Sequence, residues 1–174
     1  VLVFTHADAD HTALLQTLGA RYPGIPVVGC STAGAYSSDG GFSEDSVVVT
    51  LMQSDRISFA AGLARGAGDR PEQAVKDAIA QASGSLTGPA RVCLFFPDPR
   101  AASTDAVLTL LGEALPADCP VLGAAAARLG TSEAAPVQLS GTEAVRDAVP
   151  VLLLGGQVQC AFSVCNSWQP IGSL

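Results

Sequence analysis

The chain has 174 residues, 48% of them hydrophobic and only 14% charged, with nine Lys and Arg against sixteen Asp and Glu and a formal net charge of −7. That is enough apolar mass to bury a substantial core. It excludes a disordered tail and argues against nucleic acid or a membrane surface as partner, since both call for clustered cations. No apolar stretch approaches the roughly 20 residues that span a bilayer. The five cysteines, Cys30, Cys93, Cys119, Cys160 and Cys165, lie among Val, Leu, Phe and Ala with no CxxC pair, so a soluble, cytoplasmic protein with reduced core thiols is expected.

In chain order, Val1 to Phe4 reads as a buried strand, already strand-like at its first residue, as expected of a fragment whose true start is missing and in which a targeting signal is not readable. A helix follows from about Asp10 to Tyr22, with Asp10 as cap and Leu14, Leu15 and Leu18 on one face. Pro23-Gly24 stops it, and Ile25 to Gly29 forms a second strand that enters the loop GCSTAGAYSSDGGFSEDS. A loop that long inside a compact domain is more often functional than idle. VVVTLM (Val47 to Met52) and ISFAAGLA (Ile57 to Ala64) pattern as an antiparallel pair joined near Ser54-Asp55.

A second helix begins around Asp69-Arg70-Pro71-Glu72, turns Ala74, Val75, Ala78, Ile79 and Ala82 inward and is released at Gly84. RVCLFF (Arg91 to Phe96) is the next strand. Ser103 or Thr104 caps a third helix that runs to Leu115 on an apolar side of Val107, Leu108, Leu110, Leu111 and Leu115. PVLG (Pro120 to Gly123) is a short strand, and VPVLLL (Val149 to Leu154) with VQCAFSVC (Val158 to Cys165) pattern as a hairpin turning at Gly155-Gly156.

The two halves repeat. VLVF…PVVGCSTAG and VCLFF…PVLGAAAA share the order strand, loop, helix, Pro, strand, Gly, small-residue loop, which points to internal duplication of a β-α-β-β-β half over about residues 1–66 and 90–168. The expected fold is α/β: one domain over residues 1–174, of mixed sheets with helices packed on their faces.

The opening VLVFTHADADH is one letter from the Thr-His-x-His-x-Asp-His signature of metallo-β-lactamases. Its second His is Asp8, however, and no histidine follows His11. A closed zinc site has no source of ligands, so no metal or cofactor is expected, and Asp8, Asp10 and His11 read as a helix N-terminus that favours negative charge.

VVGCSTAGAYSSDGGFSEDSVVV carries more chemistry. Gly29 permits a tight exit from a strand, and Cys30, Ser31, Thr32 and Gly34 bring backbone N–H groups and small side chains able to hold a carboxylate or phosphate. Ser43, Glu44 and Asp45 supply acceptors for an amine or hydroxyl. Both kinds of group together suit a small zwitterion.

This text, as Pro26 to Ala35 and Gly41 to Val49, resembles the N-terminal domain of the FIST family of sensory proteins, and the closing SVCNSWQPIGSL is similar to that family's exit toward its C-terminal domain. The resemblance implies a non-enzymatic sensory input domain of bacterial signal transduction. It would bind a small molecule such as an amino acid, and its partners would be a C-terminal FIST domain absent from this chain and a downstream signalling protein. Where relatives carry Gly- and Asp-rich text after PVLG, this chain reads AAAARLGTSEAAP, so that loop is expected to bring no polar groups to a ligand.

Two other readings stay open. A hydrolase-like enzyme could use Cys30 or Ser31 as nucleophile with His6 or His11 as base. A haem-binding gas sensor could use His6 or His11 as axial ligand, although the chain has no CxxCH and few aromatic residues. Trp168 reads as packing mass.

Overall fold

The computed structural model describes residues 1–163. Val164, Cys165 and Trp168, and with them the expected end of the last strand and the packing assigned to Trp168, lie outside the described residues. The elements in order are β1 (Leu2–His6), α1 (His11–Arg21), β2 (Val28–Thr32), β3 (Ala35–Ser37), β4 (Gly41–Ser43), β5 (Val47–Thr50), β6 (Ile57–Arg65), α2 (Pro71–Ser85), β7 (Ala90–Phe95), α3 (Thr104–Ala114), β8 (Val121–Gly123), β9 (Gln138–Ser140), β10 (Glu143–Val145) and β11 (Ala148–Gly156). No helix among the described residues is long and apolar enough to cross a membrane.

The strands form two main sheets, ordered β10-β9-β2-β1-β5 and β6-β11-β7-β8, with β3 and β4 as a separate small hairpin. Each main sheet holds one parallel pair joined through a helix, β1-α1-β2 and β7-α3-β8. The alternation of a strand explains the layering. Val3 turns outward under Leu15 and Leu18 of α1. Leu2 and Phe4 turn inward, where they join Val28, Cys30, Phe96 and Leu152 between the two sheets. Phe4 and Phe96 meet edge to face there, their ring centres 5.4 Å apart. Helices α2 and α3 cover the outer face of the second sheet, which completes a mixed α/β architecture with helices packed on sheets.

Local chemistry sets most element ends. The Asp10 carboxylate accepts a hydrogen bond from Ala13 N at 2.9 Å and so caps α1. Pro71 opens α2, and the five side chains expected inward from it are all buried. That helix lies so close to its sheet that a Cβ on Gly62 of β6 would come within 2.0 Å of the Ala78 carbonyl oxygen.

Several expectations are corrected. β5 and β6 are not a hairpin: β5 pairs with β1, while β6 crosses to the other sheet and pairs with β11 along nine residues, from Ile57 opposite Gly156 to Arg65 opposite Ala148. The four residues of β5 could not match that ladder. Nor do residues from Val158 fold back on β11, because both edges of β11 are already taken by β6 and β7; residues 157–163 form no strand. The second strand starts at Val28 rather than Ile25 and runs on to Thr32, and the loop after it contains the β3–β4 hairpin. Gly84 lies inside α2, Leu108 on α3 is exposed, and so is Cys160.

One buried group is at odds with its surroundings. Gln138 is fully buried opposite Cys30, and neither its side-chain oxygen nor its nitrogen has a hydrogen-bond partner among the described residues. Unsatisfied buried polar groups cost about 1–3 kcal/mol each. Gln138→Met keeps the volume and removes both, so it is expected to raise the urea midpoint of the chain without changing the slope of the transition, a gain of about 1–3 kcal/mol.

Candidate functional site

In sheets with parallel strands, ligands gather where the strands' carboxyl ends open into loops. The carboxyl ends of β1 and β2 are His6 and Thr32, which stand side by side in register. Three loops meet there: residues 7–10 after β1, residues 33–46 after β2, and residues 124–137 after β8.

Ser31 binds the third loop to β2. Its N–H donates to the Val137 carbonyl at 2.9 Å, its carbonyl accepts from Ala127 N at 2.8 Å, its Oγ donates to the Ala127 carbonyl at 2.8 Å and accepts from Val137 N at 3.0 Å. The residue is fully buried and all its polar groups are used. Gly29 lies against β1, where a Cβ would fall 1.8 Å from the Val3 carbonyl oxygen. Cys30 points between the sheets, and burial pushes its thiol up to about 12. Gly34 sits under the ring of Phe42, with 2.4 Å from a Cβ there to Cζ. Thr32 and Gly34 are half-buried, whereas Ser43, Glu44 and Asp45 are exposed. Of the eight expected residues, then, Gly29, Cys30 and Ser31 are structural supports, and Glu44 with Asp45 reaches open space.

That space is a pocket of about 350 Å³ lined by His6, Ala7, Asp8, Glu44 and Asp45 from the first half and by Leu129, Thr131, Ser132 and Glu133 from the second. Four carboxylates line it and no Lys or Arg does. Arg128, the nearest cation in sequence, donates instead to the carbonyls of Leu129 and Ser132, which ties the loop to itself. The loop expected to lack polar groups therefore contributes two hydroxyls and a carboxylate. Asp10 serves as the cap of α1, which leaves Asp8 to the pocket. His11 braces the turn from β1 into α1, its Nε2 lying 3.2 Å from the His6 carbonyl; burial, the largest influence, pushes its pKa below the ordinary value.

Among the described residues no three His, Cys, Asp or Glu side chains are placed to share a metal ion. A larger groove of about 890 Å³ runs at the opposite end, beside Tyr22, Ile25 and Phe59. It is lined mainly by apolar and small residues and faces the amino end of β2, so it offers little chemistry to a polar ligand.

The family model of the FIST N domain matches residues 1–174, and the chain belongs to that family. This is a class of sensory domains of signal transduction rather than a known enzyme family. No curated protein matches the chain. A nucleophilic role for Cys30 finds no support in its burial or its raised pKa, because the thiolate is the reactive form.

Two outcomes follow from these surroundings. Brief iodoacetamide treatment of the folded protein at pH 7.5 should label Cys160 and leave Cys30, Cys93 and Cys119 free, as read by peptide mass spectrometry; Cys93 is likewise pushed up to about 12 by burial. For His11, a folded pKa below about 6.5 means that the fold favours the neutral ring. Its contribution to stability is complete above about pH 6.5 and declines as pH falls through that value toward the lower folded pKa. His11→Gln should flatten the stability profile across that window in urea titrations.

Proposed function

We propose that this FIST domain is the input module of a bacterial signalling protein and that its signal is a small molecule bearing a protonated amine, an amino acid among the candidates. The observation that carries this reading is the composition of the pocket at the strand ends: Asp8, Glu44, Asp45 and Glu133 with no Lys or Arg in the lining. An ammonium group placed among these carboxylates gains charge-assisted hydrogen bonds. His6, Thr131 and Ser132 add groups that can accept from or donate to the rest of the ligand.

In this reading Glu44 and Asp45 touch the ligand. Gly29, Cys30, Ser31, Thr32, Gly34 and Ser43 position the loops. Because the pocket takes residues from the loop after β2 and from the loop after β8, which Ser31 ties to β2, an occupant would bridge the two loops and stiffen that junction. A C-terminal FIST domain and a downstream protein are the partners that would read the change. Haem fits poorly, since a macrocycle calls for apolar walls and an axial ligand, whereas His11 is engaged with the His6 carbonyl and carboxylates surround His6.

Thermal unfolding of the chain with a panel of amino acids, diamines and amine-free carboxylic acids tests the reading. Amine-bearing compounds should raise the midpoint, and a saturating ligand at a hundred times its Kd adds about 2.7 kcal/mol. The double variant Glu44→Gln/Asp45→Asn should weaken that binding at least about tenfold, or 1.4 kcal/mol. Stabilisation by the amine-free acids alone would refute the reading.

A further inference from the structure

Among the described residues the outer edge of β5 has no strand partner: β5 ends the first sheet and pairs there with β1 alone. Because His6 N donates to the Ser46 carbonyl, the residues bonded to β1 are Ser46, Val48 and Thr50, and the N–H and C=O groups of Val47 and Val49 point the other way. The strand is also apolar, with Val47 44%, Val49 38% and Leu51 54% exposed. It carries none of the Lys or Pro residues that commonly protect such edges, and an edge of this kind recruits another strand. Beside it, between β5 and the β3–β4 hairpin, lies a cleft of about 320 Å³ bordered by Ala35, Ser43, Val47 and Val49.

The other sheet shows what could fill an equivalent place. Val3 and Phe95 occupy matching positions, each with a glycine pressed on its carbonyl, Gly29 at 1.8 Å and Gly123 at 1.9 Å from where a Cβ would be. Opposite them stand Val49 and Val151. Beyond Val151 the outer neighbour is β6, which begins eight residues after Val49. The counterpart of β6 is the segment that begins at Val158, seven residues after Val151. Its VQCAFS has the same alternation as ISFAAG of β6, with Val158, Cys160 and Phe162 in the places of Ile57, Phe59 and Ala61.

We propose that the segment starting at Val158 docks along the free edge of β5 as an antiparallel strand, as β6 does along β11. The route is short. Gln157 N donates to the Arg56 carbonyl at 3.0 Å, so the segment leaves the body beside the six residues that lead out of β5, at that strand's carboxyl end. From there it runs back along the edge in the antiparallel sense. Phe162, now 64% exposed, gains a surface to cover, and the segment supplies the hydrogen bonds that Val47 and Val49 lack.

Amide hydrogen exchange followed by NMR on the 174-residue chain tests this. The amides of Val47 and Val49 should exchange at least about tenfold more slowly than unprotected amides, at a rate independent of protein concentration. Phe162→Asp and Ala161→Pro should each abolish that protection while Val48 and Thr50, bonded to β1, stay protected. The proposal is overturned if Val47 and Val49 exchange freely in the unaltered chain, or if their protection survives both substitutions. Protection that grows with concentration would also overturn it, because a second copy would then be the occupant.

Discussion

The pairing of β1 with β2 depends on the absence of a side chain at residue 29. A Cβ there would lie 1.8 Å from the Val3 carbonyl oxygen, far inside any non-bonded contact, so no other residue lets the two strands approach as they do. That approach sets where both strands end, and so places His6 beside Thr32. It also turns the next two residues in fixed directions: Cys30 into the apolar layer between the sheets and Ser31 outward to the third loop, where four hydrogen bonds hold it. The same device recurs at Gly123 against the Phe95 carbonyl. Each parallel pair is thus locked by one glycine, and the loop after each glycine begins from a rigid point.

This explains which parts of the molecule were legible in the sequence. The inward face of helix α2 could be read to the residue, because its side chains are set by the helical period and by the sheet beneath it. The glycines of PVVG and PVLG marked strand exits, yet their true role, a contact between backbones, has no signal in one strand's own sequence. The pairing of β5 and β6 was misread for a related reason. Adjacent strands with a short connection look like a hairpin, but nine residues of β6 find a nine-residue partner in β11 that the local alternative cannot equal. Pairing between distant strands is decided by the whole sheet, which a window along the chain does not contain.

The site was legible in the same uneven way. Glu44 and Asp45 stood out as acidic residues beside a Gly- and Ser-rich loop, and both line the pocket. Ser31 stood out for its hydroxyl and amide, which tie the 124–137 loop to β2. Thr131, Ser132 and Glu133 were passed over in a stretch dominated by alanine, and only the Ser31 hydrogen bonds to Ala127 and Val137 bring that stretch to the pocket. A residue 96 positions away in the chain is as close as a neighbour once a buried hydroxyl ties it there.

The electrostatic character of the pocket follows from what the fold withholds. Nine basic residues serve the whole chain, and the described ion pairs of Arg65 with Glu143 and Arg91 with Asp118 lie elsewhere. Arg128 is adjacent to the pocket, but its guanidinium is turned onto the carbonyls of its own loop. Had it faced inward, Glu133 or Asp8 would have a fixed partner and the pocket would be closed to a cation. An inward arginine would offset one of the four charges and hold its carboxylate partner in a fixed fork geometry. On the reading proposed above, a cluster left open to water, on loops fixed by buried glycine and serine contacts, would keep its negative charge available to a ligand, and the rigidity beneath it would limit the ordering cost of binding.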